Sequence, residues 1–165
     1  MDVADRVVLI TGASSGVGAA LAEQLAGMGA RVVVNYSRSA DAADAVVSRI
    51  TSAGGQALAA QADVSEEADC KRLVAATIEQ FGQLDVLVNN AGTTTFVPHD
   101  QLEALTEEIW LRTLRVNLIG AFMMSREAAP HIGAAGGGEV IMTSSIASMT
   151  ANGSSIAYCA SKAGM

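Results

Sequence analysis

The chain has 165 residues, half of them apolar, a size at which a single domain can bury its own core. Ten basic against seventeen acidic side chains give a net charge of -7 with no concentrated run of Lys or Arg, which excludes nucleic acid as a partner. No apolar stretch approaches the roughly 20 residues of a membrane helix, and the acidic start Met1-Asp2-Val3-Ala4-Asp5 lacks the basic residues of an export signal, so the expectation is a soluble, cytoplasmic protein without membrane partners.

Short β-branched runs alternate with longer Ala-rich segments of helical period, the pattern of βαβ units. Strands are predicted over 7–10, 31–35, 57–62, 86–89 and 140–143, and helices over 17–28, 40–53, 65–81 and 103–132, the last with at least one break. The fold class is therefore α/β, a doubly wound, Rossmann-like parallel sheet in one domain spanning 1–165. Ser65 is placed to cap the third helix, with Glu66 and Glu67 favoured by its dipole, and Gly29, Gly54-Gly55 and Gly82 end the first three helices. The Gly-rich patch 133–138 reads as a loop before the fifth strand. Cys70 and Cys159 are far apart and read as reduced, buried thiols rather than metal ligands; no metal is expected.

Directly after the first strand stands Thr11-Gly12-Ala13-Ser14-Ser15-Gly16-Val17-Gly18, opening a helix. Glycine after a strand permits a tight turn and close approach of a pyrophosphate, and the helix start presents free N–H groups and a positive dipole end. The segment from Gly12 through Ser14, Ser15, Gly16 and Val17 to Gly18 is thus the first candidate cofactor site. At the end of the second strand, where an acid would accept hydrogen bonds from an adenosine ribose, the chain has Asn35-Tyr36-Ser37-Arg38-Ser39. With no acid before Asp41, Tyr36, Ser37 and Arg38 suit a 2'-phosphate, which predicts NADP(H), with NAD(H) as the alternative. Tyr158 and Lys162 are four residues apart and share a helix face, where an ammonium lowers the pKa of a phenol and makes it a usable proton donor and acceptor. Ser145, in the turn after the fifth strand, can donate a hydrogen bond to an oxygen on which negative charge develops.

The pattern T-G-x-x-x-G-x-G at Thr11–Gly18, Asn89-Asn90-Ala91-Gly92, Asn117, Ser145 and the Y-x-x-x-K of Tyr158 and Lys162, in this order, resembles the short-chain dehydrogenase/reductase family. The resemblance implies an oxidoreductase that moves hydride between a nicotinamide dinucleotide and a carbonyl or alcohol carbon, with Asn117, Ser145, Tyr158 and Lys162 as its catalytic residues. It gives Tyr158 and Lys162 contacts to the cofactor as well, Lys162 holding the nicotinamide ribose, and makes Asn117 the holder of a water that relays protons from Lys162. It also implies cofactor contacts from Asp63 and Val64 at the adenine and from Asn90, Ala91 and Gly92, and a homodimer or homotetramer for the full-length protein. Ser144 reads as structural, His99 and His131 as surface or loop residues, and Trp110 with Met123 and Met124 as core or interface. The family pattern continues past Y-x-x-x-K through two more strands and a substrate-covering segment, whereas this sequence stops at Met165. A fragment is therefore expected, with turnover belonging to a longer parent and the fifth strand left as an open apolar edge. Two other readings stand beside a general carbonyl reductase: a 3-oxoacyl-carrier-protein reductase, and a cofactor-binding module without catalysis.

Overall fold

The computed structural model describes residues 2–165. Five strands, β1 (Val7–Ile10), β2 (Arg31–Tyr36), β3 (Gln56–Gln61), β4 (Val86–Asn89) and β5 (Glu139–Met142), form one parallel sheet in the order β3-β2-β1-β4-β5. Helices α1 (Gly16–Gly27), α2 (Ala40–Ser52) and α3 (Glu67–Phe81) connect the first four strands. From β4 to β5 the chain runs through a 3-10 turn (Leu102–Ala104), α4 (Glu107–Leu114), a π-helical turn (Arg115–Ile119) and α5 (Gly120–Ala134); α6 (Ala147–Thr150) and α7 (Ile156–Gly164) follow β5.

The sheet is covered on both faces, which is why β1 and β2 read as unbroken apolar runs rather than alternating ones. On one face Val8, Ile10, Val32 and Val34 pack with Ala22 and Ala26 of α1 and Val46 and Ile50 of α2. On the other Val7, Leu9, Val33 and Leu87 meet Leu73 and Val74 of α3 and Met124 and Ile132 of α5. Met123 and Met124 are thus core residues, and both cysteines are buried free thiols. Burial pushes the Cys70 thiol up to about 11, so it stays protonated and inert.

One local expectation is corrected, and another takes a definite form. Ser65 does not cap α3: the helix begins at Glu67 with Glu66 at the cap position, one residue later than expected, and the Ser65 hydroxyl turns back to donate to Asp63 Oδ1 at 2.7 Å. The break in the long fourth helix is a π-helical turn, in which the Gly120 N–H reaches back five residues to the Arg115 carbonyl. In β5, Val140, Ile141 and Met142 are 40%, 43% and 38% exposed. No helix among the described residues is long and apolar enough to cross a membrane.

Candidate active site

Strand order reverses between β1 and β4, and there the loops leaving the two strands are stitched together. The Thr11 hydroxyl donates to the Val88 carbonyl at 3.3 Å and accepts the N–H groups of Asn90 and Ala91, each at 3.0 Å. In return Asn90 Nδ2 donates to the carbonyls of Thr11 and Gly12 at 2.9 and 3.1 Å. The two sequence motifs are one structural unit. Gly12 has φ +62°, and a Cβ there would lie 2.8 Å from Ala91 Cα; a Cβ on Gly18 would lie 2.6 Å from Asn90 Nδ2. Both glycines exist so that α1, the turn and the β4 loop can close on one another.

A groove of about 700 Å³ opens over the ends of β1, β2, β3 and β4. Of the residues nominated from sequence, Gly12, Ser14, Ser15, Ser37, Arg38, Asp63, Val64, Asn90, Ala91 and Gly92 line it. Gly16, Val17 and Gly18 form the first turn of α1 beside it, and no side chain caps that helix start, which leaves its N–H groups for an incoming anion. Tyr36 is placed differently from the expectation: it is half-buried against the core on the α1 and α2 side and is not among the groove residues. Residues that sequence reasoning passed over are Asn35, Arg112 and Arg115. Asn35 is 1% exposed, accepts the Gly12 N–H on Oδ1 at 3.1 Å and donates to the carbonyls of Ala60 and Ala62, each at 3.1 Å. Arg112 and Arg115 project from the end of α4 and the π turn.

The groove adjoins a second cavity of about 480 Å³, with Asn90, Gly92 and Thr93 lining both. Ser145, Tyr158 and Lys162 line this second cavity, brought together by the turn after β5 and by α7. Ser155 caps α7 by accepting the Tyr158 N–H at 3.4 Å, and Ser144 donates to the Lys162 carbonyl at 2.8 Å, a structural contact. Lys162 is 4% exposed; its Nζ donates to the Thr143 carbonyl at 2.6 Å and stands 6.0 Å from the centroid of the Tyr158 ring. Burial lowers its pKa. Ser145 Oγ accepts the Ala147 N–H at 3.2 Å, which leaves its own proton for another acceptor.

Asn117 sits inside the π turn, fully buried. Its Oδ1 accepts the Thr93 N–H at 2.7 Å, and Nδ2 donates to the Thr93 carbonyl and the Ser161 hydroxyl, both at 2.9 Å. Both amide hydrogens are therefore committed to joining the β4 loop to α7, and the side chain reads as a clamp between the walls of the cavity. Ser154 makes a second clasp on the other side: its hydroxyl pairs with that of Thr94 at 2.7 Å and its carbonyl bonds His99 Nε2 at 2.8 Å. No group of three or more His, Cys, Asp or Glu side chains among the described residues could hold a metal.

A glycine turn at the reversal point of a doubly wound parallel sheet, with an open groove running along it, defines a dinucleotide-binding α/β protein. The sequence profile of the family described as short chain dehydrogenase matches residues 6–165. The chain belongs to that family, an oxidoreductase family whose cofactor is NAD(P)(H). It is 39% identical over 160 residues to a 3-oxoacyl-[acyl-carrier-protein] reductase of Synechocystis, covering 97% of this chain and 64% of that protein. It is 44% identical over 140 residues to versicolorin reductase 1 of Aspergillus parasiticus, covering 85% and 52%. A crystal structure of a short chain dehydrogenase from Mycobacterium avium superposes with a TM-score of 0.89 at 37% identity, covering 99% of this chain and 60% of that one. The chain thus spans between half and two thirds of the length of these proteins.

Proposed function

We propose that the protein is the cofactor-binding and catalytic part of an NADP(H)-dependent reductase or dehydrogenase acting on a small-molecule carbonyl or secondary alcohol. The observation that carries this is the adjacency of two cavities sharing Asn90, Gly92 and Thr93, one lined by the glycine turn and the other by the Ser145, Tyr158 and Lys162 cluster. A dinucleotide fits the groove: the unsatisfied start of α1 suits the pyrophosphate, and Ser37 and Arg38 beside it suit a 2'-phosphate. When bound there, the nicotinamide supplies the hydride donor or acceptor.

The chain's own residues do the rest. Ser145 donates a hydrogen bond from its hydroxyl to the substrate oxygen, keeping its proton, and holds that oxygen toward Tyr158. Tyr158 passes its phenolic proton to that oxygen during reduction and takes it back during oxidation. Lys162, buried and fixed by the Thr143 carbonyl, places a positive charge near the phenol and stabilises its anionic form. Asn117 acts through position, holding Thr93 and Ser161 so that the β4 loop and α7 stay in register. A role for a carrier-bound 3-oxoacyl substrate is the second reading, favoured by the Synechocystis relative.

The test is steady-state turnover on a panel of ketones with NADPH and NADH. Tyr158→Phe is expected to lower kcat by about 10²-fold or more while the Kd for NADPH stays within twofold, since general acid–base catalysis contributes about 10²–10⁴. Arg38→Ala is expected to raise the KM for NADPH and leave that for NADH unchanged. Full activity of Tyr158→Phe with cofactor bound overturns the mechanism, and an NADH preference insensitive to Arg38→Ala overturns the cofactor assignment.

A further inference from the structure

Four of the eight arginines, Arg6, Arg49, Arg72 and Arg126, are paired with carboxylates, and Arg31 donates to the carbonyls of Asp5 and Phe81. Of the four without a carboxylate partner among the described residues, three, Arg38, Arg112 and Arg115, line the same groove. In a chain with seventeen acidic side chains, that segregation marks a binding surface.

The three do not stand together in the chain. Arg38 follows β2 with Ser37 and Ser39, whereas Arg112 and Arg115 lie three apart at the end of α4 and the start of the π turn, on one helix face. The groove lining nearest Arg115 in hydrogen bonding is the loop after β3, since Arg115 Nε donates to the Ser65 carbonyl at 3.0 Å. That bond fixes the plane of the guanidinium and leaves its terminal nitrogens unengaged. The same part of the groove carries Asp63, whose Oδ1 is held by Ser65, together with Val64 and Val116. A carboxylate repels a phosphate but accepts from an exocyclic amine, and two valines suit the faces or edges of a flat heterocycle. A planar cation completes the set, because guanidinium groups stack on aromatic rings.

We propose that Arg115, seconded by Arg112, binds the adenine ring of the dinucleotide from the helix side of the groove, separately from the phosphate contact of Arg38. The inference rests on the groove being the dinucleotide site. It gives the end of α4 a binding task that the sequence motifs do not assign to it, and it links cofactor arrival to the π turn that carries Asn117.

Trp110, the one tryptophan, lies two residues before Arg112 and reports binding without turnover. The purified protein and its Arg115→Ala, Arg115→Lys, Arg112→Ala and Arg38→Ala variants are titrated with NADPH, NADH and reduced nicotinamide mononucleotide, reading Trp110 quenching. Arg115→Ala is expected to weaken NADPH and NADH alike, by about fivefold, and to leave the mononucleotide, which has no adenosine, unchanged. Arg112→Ala is expected to act in the same direction more weakly, Arg115→Lys to fail to restore affinity because it keeps the charge and loses the plane, and Arg38→Ala to weaken NADPH alone. If Arg115→Ala does not fold by circular dichroism, Arg115→Gln, which keeps a donor for Ser65, takes its place. A loss confined to NADPH, a loss that extends to the mononucleotide, or no loss at all each overturns the adenine contact. Wild-type protein that binds neither dinucleotide overturns the reading of the groove itself, a result distinguishable from the others because no variant is then needed to see it.

Discussion

Asn35 does with one amide what no other side chain of its size can do. Its oxygen accepts the Gly12 N–H while its nitrogen donates to two carbonyls at the end of β3, and its own carbonyl accepts the Ala13 N–H at 2.7 Å. The glycine turn is thereby fastened to β2 and β3 as well as to the β4 loop. Asn35→Asp keeps the shape, removes both donors and sets a negative charge against carbonyl oxygens. Leaving buried polar groups unsatisfied costs about 1–3 kcal/mol each, more when charge is involved. The variant is expected to unfold at least about 2 kcal/mol more easily in urea and to bind NADPH more weakly, and a turn that kept both properties would not need this brace. None of this was legible in sequence, where Asn35 is one polar letter at a strand end. Motifs defined by local spacing, such as Thr11–Gly18 and Tyr158 with Lys162, could be read because a turn or a helix brings those residues together by itself. Asn35 and Arg115 acquire their roles only from partners 20 to 50 residues away, and the half-burial of Tyr36 against the core is likewise set by residues distant in sequence.

Among the elements, the run from α4 through the π turn into α5 matters most to the site, and its glycines separate packing from helix propensity. The sequence showed that a long helix over 103–132 must break but not how, because the π turn Arg115–Ile119 contains neither proline nor glycine, and the Asn117 bond to Thr93 that accompanies it spans 24 residues. Just past it, Gly120 lies against the loop that carries Asp63: a Cβ there would sit 2.8 Å from the Val64 carbonyl oxygen and 3.2 Å from Val64 Cγ2. Gly133, near the end of the same helix, has open space around it. Alanine is the better helix former by about 1 kcal/mol, so Gly133→Ala is expected to raise stability by up to that amount. Gly120→Ala meets backbone that cannot rotate away, and overpacking of about 1–3 kcal/mol outweighs the propensity gain. Opposite shifts of the two urea midpoints are expected, together with weaker NADPH binding for Gly120→Ala alone; a stabilised Gly120→Ala would show that α5 stands off from the cofactor loop.

Across the whole molecule, the ends of the sheet divide their work: the strand ends after Ile10, Tyr36, Gln61 and Asn89 open on the groove, and the opposite end holds a latch. There Asp85, 1% exposed, accepts Arg6 at 2.7 Å on Oδ1 and accepts the Val7 N–H at 2.8 Å and Gln83 at 2.7 Å on Oδ2. It joins the entry of β4 to the entry of β1, the two strands on which the motif loops hang. Burial alone would push this carboxyl's pKa up, but the hydrogen bonds from Val7, Arg6 and Gln83 and the charge of Arg6 outweigh it and hold the value below the ordinary carboxylate range. A folded value below the unfolded one, near ~3.9, means that the contribution to stability is complete above that pH and is lost as pH falls through the lowered folded value. The thermal midpoint is therefore expected to lose an Asp85 contribution only below about pH 4. Asp85→Asn should melt lower at pH 7 and fall less steeply than the wild type between pH 5 and pH 3, while still binding NADPH with wild-type affinity where it is folded. An acid slope identical in the two proteins would move the pH sensitivity to the exposed carboxylates, and weakened NADPH binding in folded Asp85→Asn would show that the two ends of the sheet are coupled.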